Sequence, residues 1–335
     1  VSDGLATERS NKQHFTYKMK EKLRELYAAY LIAWLSITSR QTIGTNIFES
    51  DWDILIILDA CRTDALREVE SEYEFLQDVD QIWSVGSTSM EWMQKTFVRE
   101  YEEEISNTAY ITANTFSNVL TGDREKLQYG AIKNTRIQQS SLGDRLINYG
   151  TVRAEDFAHI EPLWADADSN DKFQSTQKPG TVTDHTVKAA RNSDFDRVVA
   201  HYMQPHAPYF STSKEYPELN EYEKYPFRFL KTKSEKEKVW ESYIDNLRYV
   251  LDHVERLLKN ADGDVVITAD HGELFGRQGI YSHIPGLPHP RLKRVPWVQT
   301  EATDTNTVNP SIKLNGVEAA QEVSEEQLEA LGYLD

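Results

Sequence analysis

Five consecutive aliphatic residues, Ile54–Leu58, run directly into Asp59, and this junction constrains the fold more than any other stretch of the chain. A strand buried on one face alternates apolar and polar side chains. An unbroken apolar run instead reads as a parallel strand covered on both faces by helices. Further strand-like segments are "QIWSVGS" (81–87), "TAYITAN" (108–114), "RVVAHYM" (197–203), "VVITAD" (265–270) and "RVPWV" (294–298). Between them lie helical patterns at 90–105, 181–192 and 235–260; in the last, Trp240, Tyr243, Leu247, Val250, Leu251, Val254 and Leu258 share one face. Strand and helix alternate without a repeat, which predicts an α/β class with a central, mainly parallel sheet flanked by helices. Residues 115–180 are mixed and Gln/Asn/Ser-rich, and no element is assigned to them.

Three regions are expected: a tail and amphipathic helix over 1–49, a main domain over 50–300, and a polar linker with a closing helix over 301–335. Residues 1–15 read as loose. Met19, Leu23, Leu26, Tyr27, Tyr30, Leu31, Trp34 and Leu35 then fall at helical spacing, as one face packed on the domain surface. The apolar stretch within this helix, "LYAAYLIAWLSI", is too short to span a bilayer, so the alternative use of the helix is peripheral contact with a membrane or a partner. With no secretory signal visible, the expected location is cytoplasmic, peripheral to the membrane if that helix docks there.

The net charge of −17 argues against nucleic acid as a partner, because no basic surface stands out to neutralise phosphates. An anionic substrate would be repelled unless a local cation reversed the field. Such acidity also fits a salt-adapted, halophilic source. The single cysteine, Cys61, excludes an internal disulfide framework and a cysteine-cluster metal site.

Parallel sheets bind ligands beyond the carboxyl ends of their strands. The residues there are Asp59; Ser87, Thr88 and Ser89; His201 and His206; and Asp270 with His271, after which His283 follows. Two carboxylates and an imidazole from strands distant in sequence suit a borderline divalent cation, zinc or manganese. A hydroxyl at the start of the helix after Ser87 is placed to act as a nucleophile, with the free helix N–H groups holding a phosphate or sulfate oxygen. His206 and His283 could ligate a second ion, hold the oxygens of the substrate or protonate the leaving group.

The motifs "LDACRTD", "GSTSMEW", "HYMQPHAPY" and "TADHGE…GIYSHIPG…RVPWV" occur in the order found in the sulfatase-like branch of the alkaline phosphatase superfamily. The last two resemble phosphoethanolamine transferases and lipoteichoic acid synthases. The resemblance covers roughly residues 50–300 and implies an alkaline-phosphatase-like sandwich. It matches Asp59 to the acidic metal ligand ending the first strand, and Asp270 and His271 to the acid–histidine ligand pair. His206 and His283 match histidines near the anionic group of the substrate. The nucleophile falls on Thr88 or Ser89: the resemblance favours Thr88, with Ser89 as helix cap, and a slip of one residue exchanges the two roles. Arg62, His201 and His289 are candidates for substrate binding, and Glu273 for support of a ligand histidine.

Two departures from the family pattern matter. Type I sulfatases convert a cysteine in a Cys-x-Pro-x-Arg setting to formylglycine, whereas Cys61 is followed by "RTDA". That shifts weight toward phosphoryl chemistry. The Asp-x-x-x-His pair of two-zinc phosphatases is also missing, since Tyr202 stands four residues before His206, so the resemblance leaves one or two ions open. The expected activity is metal-dependent hydrolysis of phosphate or sulfate esters through a Thr or Ser covalent intermediate. The alternatives are transfer of a phospho- or sulfo-group to a surface glycan or lipid, and an inactive relative that binds an anionic glycan or a protein.

Overall fold

The computed structural model describes residues 2–121, 129, 135, 145–166, 177–211 and 219–316, with side chains from residue 18 onward. The chain divides into two compact units, one of residues 1–42 with 124–149, the other of 43–123 with 150–335. The first unit therefore ends earlier than the expected boundary at 49. Residues 43–49 belong to the sheet unit, where Thr45 bridges to Ser84 and Ile47 and Phe48 are buried. The closing helix expected after residue 323 lies outside the described residues.

In the first unit, Ser2–Thr38 is one continuous helix, so the segment read as loose is helical from Ser2. The apolar residues of this helix do not share one fate. Ala28, Leu31, Ile32 and Leu35 are buried, whereas Met19, Leu23, Leu26, Tyr30 and Ile37 stand exposed. At the end of the helix Ser39 N–H bonds Leu35 O, and the Arg40 guanidinium bonds Ser36 O nearby and Leu146 O from far along the chain. Among the described residues no helix is long and apolar enough to cross a membrane.

The second unit is built on seven strands: β1 (Ile54–Leu58), β2 (Asp80–Trp83), β3 (Thr108–Thr112), β4 (His159–Pro162), β5 (Arg197–Tyr202), β6 (Gly263–Thr268) and β7 (Arg294–Ala302). Their order is β2-β7-β6-β1-β5-β3-β4. Only β7 runs against its neighbours, β6 and β2. Ile54 lies opposite Val198 on one side and Val265 on the other, so β1 is central, and all five of its residues are buried. This is the mainly parallel α/β sheet expected from the sequence. β4 fell in the unassigned region: at four residues, with a histidine and a glutamate on an edge, it offers no periodicity to read.

Side chains alternate across the sheet. Ile54, Ile56, Leu58, Ala109, Ile111, Val198 and Ala200 face a core shared with the helix Lys233–Leu258, which buries Val239, Tyr243, Leu247, Val250, Leu251 and Val254. That helix starts at a capping box in which Thr232 and Glu235 satisfy each other's backbone N–H groups. The intervening positions Tyr110 and His201 face the other way, toward Trp92 and Phe97 around the helix Ser89–Thr96. The longer helix expected over 90–105 stops at Thr96 because Phe97 and Val98 leave helical geometry. Val98 bridges to Thr151, and a short helix resumes only at Glu102–Ser106.

Candidate active site

The central strands deliver the acids. Asp59 follows β1 and is fully buried; the chain then turns sharply at Ala60, whose φ is 56°. Asp270 follows β6 and is also fully buried. Its Oδ1 accepts the N–H groups of Ala60 (3.1 Å) and His271 (2.8 Å), which locks the carboxylate between the ends of two adjacent strands. On Asp59, Oδ2 accepts the Asn114 amide at 2.6 Å. The two remaining oxygens, Asp59 Oδ1 and Asp270 Oδ2, are buried and accept no hydrogen bond among the described residues.

His271 completes the group. Its Nδ1 lies 2.8 Å from the Gly272 carbonyl, which can only accept, so Nδ1 carries the proton and Nε2 presents a lone pair. That Nε2 lies 3.7 Å from Asp59 Oδ1 and 3.5 Å from Asp270 Oδ2. One ligand atom from each of the three residues lies within 4.8 Å of the others. Burial and the neighbouring Asp270 charge push Asp59 well above its ordinary pKa. Burial also works against the Asp270 charge, but His271 and His201 outweigh it and hold Asp270 below its ordinary value. A pair of orphaned carboxylate oxygens beside an imidazole lone pair, with no sulfur donor, fits a divalent cation such as zinc or manganese.

The hydroxyl in this group is that of Ser89. Its Oγ lies 3.2 Å from His271 Nε2 and 3.4 Å from Asp59 Oδ2. Thr88, not Ser89, is the helix cap, its Oγ1 accepting the Glu91 N–H at 3.3 Å. The two hydroxyls part for a geometric reason. A cap side chain turns back onto the first helical turn, and the next residue, about 100° further round, points elsewhere.

Upstream, the turn is held tightly. A Cβ on Gly86 would meet Trp92 N at 2.4 Å, so only glycine fits there. Glu91, itself buried, accepts the Ser87 N–H (3.0 Å), the Ser87 hydroxyl (2.6 Å), the Gly286 N–H (3.2 Å) and the Lys95 ammonium (2.5 Å). Burial alone would raise the Glu91 pKa, but Lys95 and Lys293 bring it down to about 2. One carboxylate thus ties the helix bearing Ser89 to the segment after His283.

A second group adjoins the first. The His283 ring lies 4.4 Å from that of His271 and 5.3 Å from that of His206, centroid to centroid. His283 Nδ1 contacts Glu273 Oε2 at 2.9 Å, and His206 Nδ1 donates to Ala207 O at 2.8 Å. Burial holds both His206 and His283 down to about 4 and raises Glu273 to about 7.

The three candidates for substrate binding do not join either group as expected. His201 is fully buried within β5, its Nδ1 2.8 Å from the Tyr110 hydroxyl and its Nε2 3.8 Å from Asp270 Oδ2, so it supports an acid from within the sheet. His289 caps the short helix Pro290–Lys293, accepting the Arg291 N–H. Arg62 pairs with Asp64 and stacks on Trp240, 4.8 Å from its ring. Asn114, which carries no charge and matches no motif, also follows β3 at the sheet edge where the other residues gather.

No family model and no curated protein matches this chain. Among solved structures it is similar to the soluble domain of lipooligosaccharide phosphoethanolamine transferase A from Neisseria meningitidis, with 12% identity, 88% of this chain and 91% of that one covered, and a TM-score of 0.46. It is also similar to the C-terminal periplasmic domain of EcEptC from Escherichia coli in complex with zinc (12%, 86% and 83%, TM-score 0.42). A third is a putative sulfatase from Bacteroides thetaiotaomicron (11%, 84% and 70%, TM-score 0.38). Phosphoethanolamine transferases and sulfatases are the branch that the sequence motifs resemble. The expected cytoplasmic location is withdrawn as a correction, since the Escherichia coli neighbour is a periplasmic domain.

Proposed function

We propose that this protein is a metal-dependent enzyme that cleaves or transfers phosphate esters by double displacement through Ser89. The observation that carries the reading is the Ser89 hydroxyl, 3.2 Å from His271 Nε2 and 3.4 Å from Asp59 Oδ2 beside two orphaned carboxylate oxygens. Asp59, Asp270 and His271 would hold one zinc or manganese ion, which when bound polarises the ester and favours the ionised serine. Asp59 Oδ2, 3.4 Å from Ser89 Oγ, is placed to receive the Ser89 proton. Ser89 Oγ forms a bond to phosphorus as the ester oxygen departs. Glu273, protonated near neutrality, passes a proton to His283 Nδ1, and His283 releases one to the departing oxygen. Water or an acceptor hydroxyl then takes the phosphoryl group from Ser89. Phosphorus is favoured over sulfur because a serine, not a cysteine, occupies the nucleophile position, and Cys61 is buried with burial pushing its pKa up.

Elemental mass spectrometry on the wild type and Asp270→Ala, purified identically, tests the metal. About one equivalent or more of zinc or manganese is expected in the wild type and none in the variant. Incubation with aryl phosphate mono- and diesters, followed by peptide mapping, tests the intermediate. A phosphorylated Ser89 peptide is expected, and metal-free wild type with no modified peptide would remove the reading.

A further inference from the structure

The helix Lys233–Leu258 packs an apolar face on the sheet, yet that face carries two fully buried polar residues, Tyr243 and Asn246. They stand three positions apart and so share one side of the helix. A buried hydroxyl or amide costs stability unless it is hydrogen-bonded, and these two bond loops at the carboxyl ends of the central strands. The Asn246 amide donates to His206 O at 3.1 Å, and its Oδ1 accepts the Phe210 N–H at 3.1 Å, which holds the loop after β5. The Tyr243 hydroxyl donates to Ala60 O at 2.8 Å and accepts the Arg62 N–H at 3.0 Å, which closes the turn after β1. That turn needs holding. Ala60 has a φ of 56°, in the left-handed region that a residue with a Cβ adopts only at a cost. Ala60 also stands between the two acids: it follows Asp59 directly, and its N–H bonds Asp270 Oδ1 at 3.1 Å. One hydroxyl thus fixes the residue on which the spacing of both carboxylates depends. The Tyr243 ring reaches the segment after Glu273 as well, lying 4.9 Å from that of Phe275, centroid to centroid.

We infer that Tyr243 is a positioning residue for the metal centre, its hydroxyl setting the separation of Asp59 and Asp270 through Ala60. Asn246 supplies the internal comparison. It is as buried and as fully bonded, and it lies on the same helix face, but the loop it holds carries His206 and none of Asp59, Asp270 and His271. The inference rests on the proposed metal-dependent ester chemistry and adds a determinant of metal affinity that does not itself touch the ion.

Zinc affinity, read by competition against a zinc-sensitive dye, tests this without reference to turnover. Tyr243→Phe removes the hydroxyl and keeps the ring contacts with Phe275, Tyr209 and Trp240, so the variant is expected to fold. Its zinc affinity is expected to fall about tenfold or more. Asn246→Leu is expected to bind zinc as the wild type does; if it does not fold, Asn246→Gln, which keeps an amide, takes its place. Cobalt-loaded proteins add a spectroscopic signature: the visible absorption of Tyr243→Phe should differ from that of the wild type, and that of the Asn246 variant should match it. Wild-type affinity in Tyr243→Phe, or an equal loss in both variants, overturns the assignment, because a general loosening of the helix weakens both alike. The ester reading is scored separately. A wild type that binds no zinc removes that reading, whereas a zinc-binding wild type with an unaffected Tyr243→Phe removes only the role of Tyr243. Melting curves of the zinc-free proteins confirm that the variants are folded.

Discussion

Ser89 Oγ and His271 Nε2 stand 3.2 Å apart, although 182 residues separate them in the chain, while the neighbouring Thr88 hydroxyl is spent on capping a helix. Two adjacent hydroxyls thus have separable roles. Ser89→Ala should abolish the phosphoryl-enzyme and lower turnover by about a thousandfold or more, with little change in melting temperature. Thr88→Ala should do the opposite, costing about 1 kcal/mol of stability while retaining the covalent intermediate. Steady-state kinetics and thermal melts on both variants decide between them, and the reverse pattern would restore Thr88 as the nucleophile.

The orphaned oxygens of Asp59 and Asp270 predict that metal binding and folding are linked. Chelation should lower the melting temperature, and added zinc should restore it in proportion to the logarithm of free zinc. Asp270→Asn should melt at the same temperature with and without zinc. Differential scanning calorimetry at several zinc concentrations gives the comparison.

His201 faces Asp270 from within β5 and is itself oriented by the Tyr110 hydroxyl. Removing that hydroxyl frees the ring without touching a metal ligand. Tyr110→Phe should weaken zinc affinity by about tenfold, and His201→Phe by more. Competition against a zinc-sensitive dye reads this directly, and unchanged affinity in both variants would reduce the two residues to packing.

Lys293 is buried, and burial holds its pKa down to about 7 despite the attraction of Glu91. From pH 7 to about pH 10 the unfolded chain keeps a proton on this lysine that the folded protein has released, so stability from this group rises with pH, by up to about 1.4 kcal/mol per unit. Below pH 7 both states are charged and the penalty is constant. Chemical denaturation at pH 6.5, 8 and 9.5 should show Lys293→Met more stable than the wild type at the lowest pH, with the difference shrinking as pH rises.

Local pattern was enough to predict the parallel sheet, because five apolar residues in succession can be satisfied only between two covering layers. The same rule placed Asp59, Asp270 and His271 together at the strand ends, because parallel strands all present their carboxyl ends to one edge. Other features depended on distances that no linear pattern carries. Which of Ser89 and Thr88 caps the helix and which faces His271 depends on a rotation of about 100°. The neighbours of His201 depend on the face of β5 it occupies and on Tyr110, 91 residues away. Short-range hydrophobic periodicity sets the elements and their ends; the partner each polar atom finds is a long-range outcome, and tertiary structure alone settles it.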